Sequence, residues 1–334
     1  MLPVLLLLSC TRHPPAPALA APPPPPEAPA PPPAPVVVSP DGVEMVPCPG
    51  ALAGTACIPG GPFTMGADTD HTCAQGENRR AQTAFGPPAE IWQQTFFMDK
   101  TEVTYGEYQA CVASGACSRS HPAYNDYDRP AQPMVGMTWY QARDFCRAEG
   151  KHLPTEAEWE KAARGPDGDA GPFGSAAPTC AEAIIRDATG RSCGVPKAAP
   201  HPEKGRTLEV ASRPAGHYGL YDMVGNAEEW VSDWFVRDRA QCGAACERTS
   251  PRGPCDGAER CPGHDKKMVK GGSWYWPTEH AYGWHRRPHF PANRPYHHFG
   301  FRCAATLEEA AALLAAQEAI LPPDGARRVT GPAQ

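Results

Sequence analysis

KHLPTEAEWEKAARG (151–165) fixes both where a helix starts and where it stops. Thr155 followed by Glu158 is a capping box. The threonine hydroxyl accepts from the N–H of Glu158, and the glutamate accepts from the N–H of Thr155. A helix is therefore predicted over 156–164, with Trp159 turned inward and Gly165 as the stop. The same signature recurs at Thr104/Glu107, Thr138/Gln141 and Thr306/Glu309. It predicts helices over 105–113 (before Gly115), 139–149 (before Gly150) and from 306 to about Ile320, each cap contributing about 1 kcal/mol. On the second helix Trp139, Ala142, Phe145, Cys146 and Glu149 share one face, so Cys146 points inward. On the last, Leu307, Ala310, Ala311, Leu314 and Ala315 form an apolar face that either docks on the domain or leaves the helix as an appendage.

Around these helices the chain reads as short strands and long loops. Phe63 to Met65 is strand-like between glycines, and Glu90 to Glu102 is rich in β-formers: Ile91, Trp92, Phe96, Phe97 and Met98. Residues 165–216 are loop. So few helices among so much irregular chain predict an irregular α+β domain.

The chain has 334 residues, 42 of them proline. Fourteen prolines lie between Pro14 and Pro40, where Glu27 is the only charge. That segment cannot bury a core and reads as an extended tether. Ahead of it, MLPVLLLLSC (1–10) is too short to span a bilayer. It resembles a bacterial lipobox, although no Lys or Arg precedes the apolar run. The expected organisation is a signal peptide over 1–10, a Pro/Ala-rich tether over 11–42, a domain over 43–305 and a helical tail over 306–334. The protein is then expected in a bacterial cell envelope, periplasmic or at the surface, held to the membrane by acyl chains on Cys10. A net charge of -6 without a dominant basic stripe argues against nucleic-acid binding. The 14 cysteines fall largely into close pairs: Cys48/Cys57, Cys111/Cys117, Cys180/Cys193, Cys242/Cys246 and Cys255/Cys261. Outside the cytosol that pattern predicts disulfides, with the pairing inside 242–261 open. Acylation of Cys10 would leave an odd number, and isolated Cys73 is the expected free thiol.

Two stretches carry candidate chemistry. In GLYDMVGNAEEW (219–230), Asp222, Asn226, Glu228 and Glu229 gather oxygen ligands around a glycine, a composition that suits Ca²⁺ or, without metal, a network of Asx turns. In VKGGSW…GFRC (269–303), Trp274, Trp276 and Trp284 accompany His280, His285, His289, His297 and His298. Segment 264–302 is locally basic, with seven Lys/Arg against Asp265 and Glu279. Such a pattern serves either an anionic ligand or arginines satisfied within the loop.

In order along the chain, PFTMG (62–66), FFMDKTEVTYGEYQAC (96–111), PMVGMTWYQARDFCRAEGKHLPTEAEWEKAARG (133–165), YGLYDMVGNAEEW (218–230), VKGGSW (269–274) and GFRCA (300–304) resemble the formylglycine-generating-enzyme family, the sulfatase-modifying-factor domain. The resemblance implies a loop-rich α+β fold akin to C-type lectins and a disulfide between Cys146 and Cys303. It implies structural calcium held by Asp222, the carbonyls of Gly225 and Ala227, and Glu229. A second family calcium site falls within 166–215 and has no clear counterpart. The family oxidises a sulfatase cysteine with O₂ at Cu(I) bound by two cysteines, since soft thiolates suit Cu(I). Those positions are Trp276 and Ala281 here, and no cysteine lies between Cys261 and Cys303. Glu228 stands where the family has a tryptophan. The expected protein is a binding or accessory module without cysteine-oxidising activity, its cleft lined by Ser273, Trp274, Trp276, Trp284, Arg286, Arg302 and Glu228 and open to a peptide, protein or glycan. The alternative is a non-haem metal oxidoreductase, with iron or another metal on the histidines of 280–298. Relatives that make sulfoxides carry their iron histidines largely on a separate helical domain.

Overall fold

A computed structural model describes residues 36–67, 87–196, 205–292 and 296–320. The acylation expected at Cys10, the tether up to residue 35, the free thiol expected at Cys73 and the tail beyond residue 320 lie outside the described residues.

Among the described residues, eleven short strands and four α-helices alternate with turns and 3₁₀ segments. The strands are β1 (Val37–Val38), β2 (Glu44–Met45), β3 (Thr55–Ile58), β4 (Gly61–Met65), β5 (Ala89–Gln93), β6 (Phe96–Asp99), β7 (Glu228–Trp234), β8 (Lys267–Lys270), β9 (Arg287–His289), β10 (Phe299–Gly300) and β11 (Ala304–Thr306). The helices are α1 (Tyr105–Ser114), α2 (Trp139–Ala148), α3 (Glu156–Arg164) and α4 (Leu307–Ile320). All four capping boxes form. Thr104, Thr138 and Thr155 each exchange both hydrogen bonds with the residue three positions on, and Thr306 does so with Glu309. Gly165 stops α3 at φ 71° and ψ -173°, a region essentially reserved for glycine. A Cβ there would lie 2.5 Å from the His217 ring.

Every residue of α3 is buried, charges included. They are tolerated because each is ion-paired or, for Lys161, hydrogen-bonded. Glu160 binds Arg164 at 2.9 Å and Lys270 at 3.0 Å, Glu156 binds Arg286 at 2.5 Å, and Lys161 donates to the Gly61 carbonyl at 2.7 Å. Trp159 donates to Glu229 at 2.8 Å, fixing α3 to β7.

Beside α3, β10, β7, β8 and β9 form one sheet in that order. β10 runs parallel to β7 and the other pairs are antiparallel. A second sheet orders β11, β6 and β3, while β4 and β5 form a hairpin. The β-rich run 90–102 is thus two strands in two sheets. They part at Gln94–Thr95, where the Thr95 hydroxyl accepts from Gly60 N at 2.8 Å. Pairing of β1 with β2 begins at Val37, ahead of the boundary expected at residue 43. The start of α4 docks, with Ala310, Leu307 and Leu313 against Leu52, Phe97 and Ala305.

Among the described residues six disulfides form: Cys48–Cys57, Cys111–Cys117, Cys146–Cys303, Cys180–Cys193, Cys242–Cys246 and Cys255–Cys261. Cys146–Cys303 joins α2 to the chain just before β11 across 157 residues. Closing a loop of that length in the unfolded chain contributes roughly 5 kcal/mol on the chain-entropy account.

Candidate functional site

The loop after β8 is held by two glycines. Gly271 and Gly272 have φ of 88° and 67°. A Cβ on Gly271 would meet the Met223 carbonyl at 2.9 Å, and one on Gly272 the His280 carbonyl at 2.6 Å. The GGS turn therefore places the backbone of His280 directly against β8's exit. Ser273 follows, fully buried.

The residues expected to line a cleft divide into two groups. Trp274 is core, packed with Tyr127, Val135 and Ile184. Arg286 is spent on Glu156, with Nε to Oε1 at 2.5 Å and Nη2 to Oε2 at 3.0 Å. Arg302 is wholly buried. It grips Glu229 through Nε and Nη2 at 2.7–3.0 Å and donates to the carbonyls of Asp99, Lys100 and Tyr221. Trp284 stacks on Tyr282 at 4.9 Å and covers the Arg164 guanidinium at 5.2 Å. Trp274, Arg286 and Arg302 are thus packed or paired within the core, Ser273 is buried next to Trp274 in sequence, and Trp284 lies over Arg164. A guanidinium beside a buried carboxylate gains more from pairing than from facing solvent.

Trp276 and Glu228 belong to a different cluster. Trp276 is half-buried, stacked on His280 at 4.9 Å, with Arg287 Cζ 4.5 Å from its ring centre. Arg287 on β9 donates to both Glu228 oxygens, at 2.8 and 3.2 Å, reaching over β8 to β7. His298 Nε2 lies 3.6 Å from Glu228, and its ring stacks on Tyr275 at 5.3 Å. His280 and His285 meet edge to face at 4.8 Å. Burial pushes the Glu228 carboxyl up, while Arg287 opposes it. Burial, reinforced by Arg287, pushes His280 down to about 4 and His289 to about 3. Burial also holds His285 and His298 well below the usual range. These four imidazoles are neutral at pH 7. Arg287 and Tyr275 join the cluster unannounced by any motif, the locally basic composition of the loop being the hint for Arg287; Arg186, from outside that loop, joins through its N–H, which donates to the Trp276 carbonyl at 2.8 Å.

Ala281 is fully buried among Ala183, Ile185 and Val224. Neither it nor the indole of Trp276 offers a soft donor, so this pair does not fit Cu(I).

At the expected calcium position, Asp222 accepts from Ala211 N at 2.7 Å. Glu229 is occupied by Arg302 and Trp159. Glu102, which sequence reasoning missed, is fully buried here and accepts from Ala227 N and Asn226 Nδ2, both at 2.8 Å. Burial, with repulsion from Asp222 and Glu229, pushes Glu102 well above the usual range, and burial takes Asp222 to about 6. Three carboxylates around one guanidinium leave an excess of negative charge, which fits a hard cation in charge and donor type. Among the described residues no three His, Cys, Asp or Glu side chains are arranged to hold a metal. Calcium would have to complete its shell from the Gly225 and Ala227 carbonyls.

A separate hollow of about 1020 Å³ is lined by Trp139, Arg143, Arg147, His152 and Glu259, among others, and shares no residue with the Trp276 cluster. Its Arg143 and Arg147 both bind Glu259 at 2.9 Å.

A sequence profile described as the sulfatase-modifying factor enzyme 1-like domain matches residues 44–307. Formylglycine-generating enzyme of Bos taurus is 28% identical over 295 residues, covering 74% of this chain and 73% of that protein. Serine/threonine-protein kinase pkn1 of Chlamydia pneumoniae is 36% identical over 177 residues, 52% of this chain. The chain spans only 24–37% of the length of the Chlamydia kinases it matches. Among solved structures, PvdO from Pseudomonas aeruginosa superposes with a TM-score of 0.54 at 24% identity, covering 83% of this chain and all of that one. That likeness speaks to fold alone.

Proposed function

Since the chain belongs to the sulfatase-modifying factor enzyme 1-like domain family, we propose that it is a membrane-anchored binding or accessory module of that family without cysteine-oxidising activity. The observation that carries this reading is the pair Trp276 and Ala281, one stacked on His280 and the other in an apolar core, where the family has its copper cysteines. Binding is assigned to the Trp276, Glu228, Arg287 and His298 cluster, with a peptide, protein or glycan as ligand. Anchoring rests on the lipobox-like MLPVLLLLSC and the proline-rich segment behind it. Structural calcium at Asp222, Glu229 and the carbonyls of Gly225 and Ala227 belongs to the same proposal, supported by the carboxylate excess around Arg302.

Peptide and glycan arrays probed with the wild-type domain and with Trp276→Ala test the binding role. Specific binding lost in the variant is the expected result; no binding, or binding indifferent to the substitution, would leave an inert scaffold. A second reading, a metal-dependent oxidoreductase, draws on the buried imidazoles of 280–298. Metal analysis after reconstitution decides it, and a redox metal below about a tenth of an equivalent ends it. Calcium is tested by melting with and without a chelator, the chelated protein being expected to melt lower.

A further inference from the structure

Several buried imidazole nitrogens near Trp276 lack a hydrogen-bonding partner. They include Nδ1 of His280 and both ring nitrogens of His285, whose residues are 8% and 1% exposed. A neutral imidazole has one donor and one acceptor, and burying both unmet is costly, so such groups mark a place filled by water, a metal or a ligand. The charges around them discriminate between the last two. The cations acting on His280 are Arg287 and Arg186, and on His285 they are Arg287 and Lys270. Lys270 is satisfied by Glu156 and Glu160, and Arg287 by Glu228. Arg186 has no ion pair among the described residues, although it is tied to the site through its backbone: its N–H donates to the Trp276 carbonyl at 2.8 Å. A metal cation placed between His280 and His285 would meet these guanidinium and ammonium charges without a carboxylate or thiolate ligand of its own. An anion beside His280 would meet the Arg186 guanidinium, whose charge acts on that ring, and an N–H donor from each of His280 and His285.

We propose that Arg186, His280 and His285, beside Trp276 and Arg287, form a subsite for an oxyanion, a sulfate or phosphate group taken either as the free ion or as an ester on a saccharide. The subsite deepens the binding role assigned to the Trp276 cluster and rests on it. Arg186 supplies the charge, His280 and His285 supply directed donors from the dry side, and the GGS turn holds His280 in place.

The test is titration of the domain with sodium sulfate against sodium chloride at matched ionic strength, followed by ¹⁵N-histidine resonances. Wild type is expected to show saturable shifts with sulfate only. Arg186→Gln, a half-exposed position whose change spares the core, is expected to weaken binding at least about tenfold, the loss of one charge-assisted bond. His280→Gln, read the same way, guards against one uninformative variant. A sulfated monosaccharide and its unsulfated parent form the second arm: tighter binding of the ester than of inorganic sulfate assigns the ligand-borne source, and equal binding assigns the free ion. No saturable effect of sulfate, or one unchanged in both variants, overturns the subsite; so does binding of a metal that requires His280 and His285. If arrays give Trp276-dependent binding while sulfate has no effect, only the subsite falls. If sulfate binds and the arrays stay blank, only the macromolecular ligand falls.

Discussion

Arg302 and Glu229 face each other with the guanidinium fully enclosed, and each has a further partner in the core. Deleting one charge from such a pair strands the other, which costs about 3–5 kcal/mol. Glu229→Gln is therefore expected to lower the urea-unfolding free energy by that amount, and Arg286→Gln, which leaves Glu156 to Lys270 at 3.6 Å, by a smaller one. Sequence alone gave no access to this. Arg286 and Arg302 sit in a loop whose composition suits a ligand, and nothing local distinguishes an arginine that finds a buried glutamate from one that faces solvent. His152 is the counterpart that titrates. Burial lowers its pKa, but Glu158 at 3.1 Å and Glu309 at 2.7 Å outweigh that and raise it to about 10 from the ordinary 6.5. The folded pKa lies above the unfolded one, so its contribution is complete below about pH 6.5 and is lost as the pH rises through 10. Because Glu309 opens α4, the protection of amides in that helix relative to their intrinsic exchange should fall between pH 7 and 10, and His152→Gln should flatten that fall.

At the scale of elements, the threonine capping boxes were legible because a cap is a local contact between residues three apart, and all four helices start where they predict. β7 was not. Its sequence, EEWVSDW, carries three acids that a reader assigns to a loop or a cation site. The fold buries six of its seven residues by giving Glu228 to Arg287, Glu229 to Arg302 and Asp233 to the N-terminus of α3, where it accepts from Glu156 N at 2.8 Å. Those partners lie far away in sequence, so no window around β7 reveals them. The same split governs β5 and β6, which read as one stretch rich in β-formers while the sheets they join differ. Gly165→Ala is expected to destabilise by about 1–3 kcal/mol, the cost of a non-glycine residue in that backbone region, with displacement of His217 adding to it. A denaturant midpoint that does not move would refute the strain at the end of α3.

For the whole molecule, the order of motifs from PFTMG to GFRCA told the family, and the Cys146–Cys303 bridge implied by it is present. Breaking that bridge with Cys146→Ser is expected to cost about 2–5 kcal/mol. Family membership did not reveal what surrounds Trp276. Arg287 joins it to Glu228, bringing an aromatic, a cation and a buried acid into contact across β7, β8 and β9. The direct test of the account is incubation of the purified domain with Cu(I), O₂ and a cysteine-containing sulfatase peptide, read by mass spectrometry for conversion of thiol to aldehyde and by stoichiometry for bound copper. The account predicts unmodified peptide and no copper retained at 276–281; catalytic conversion of the peptide with copper held by the domain would contradict it.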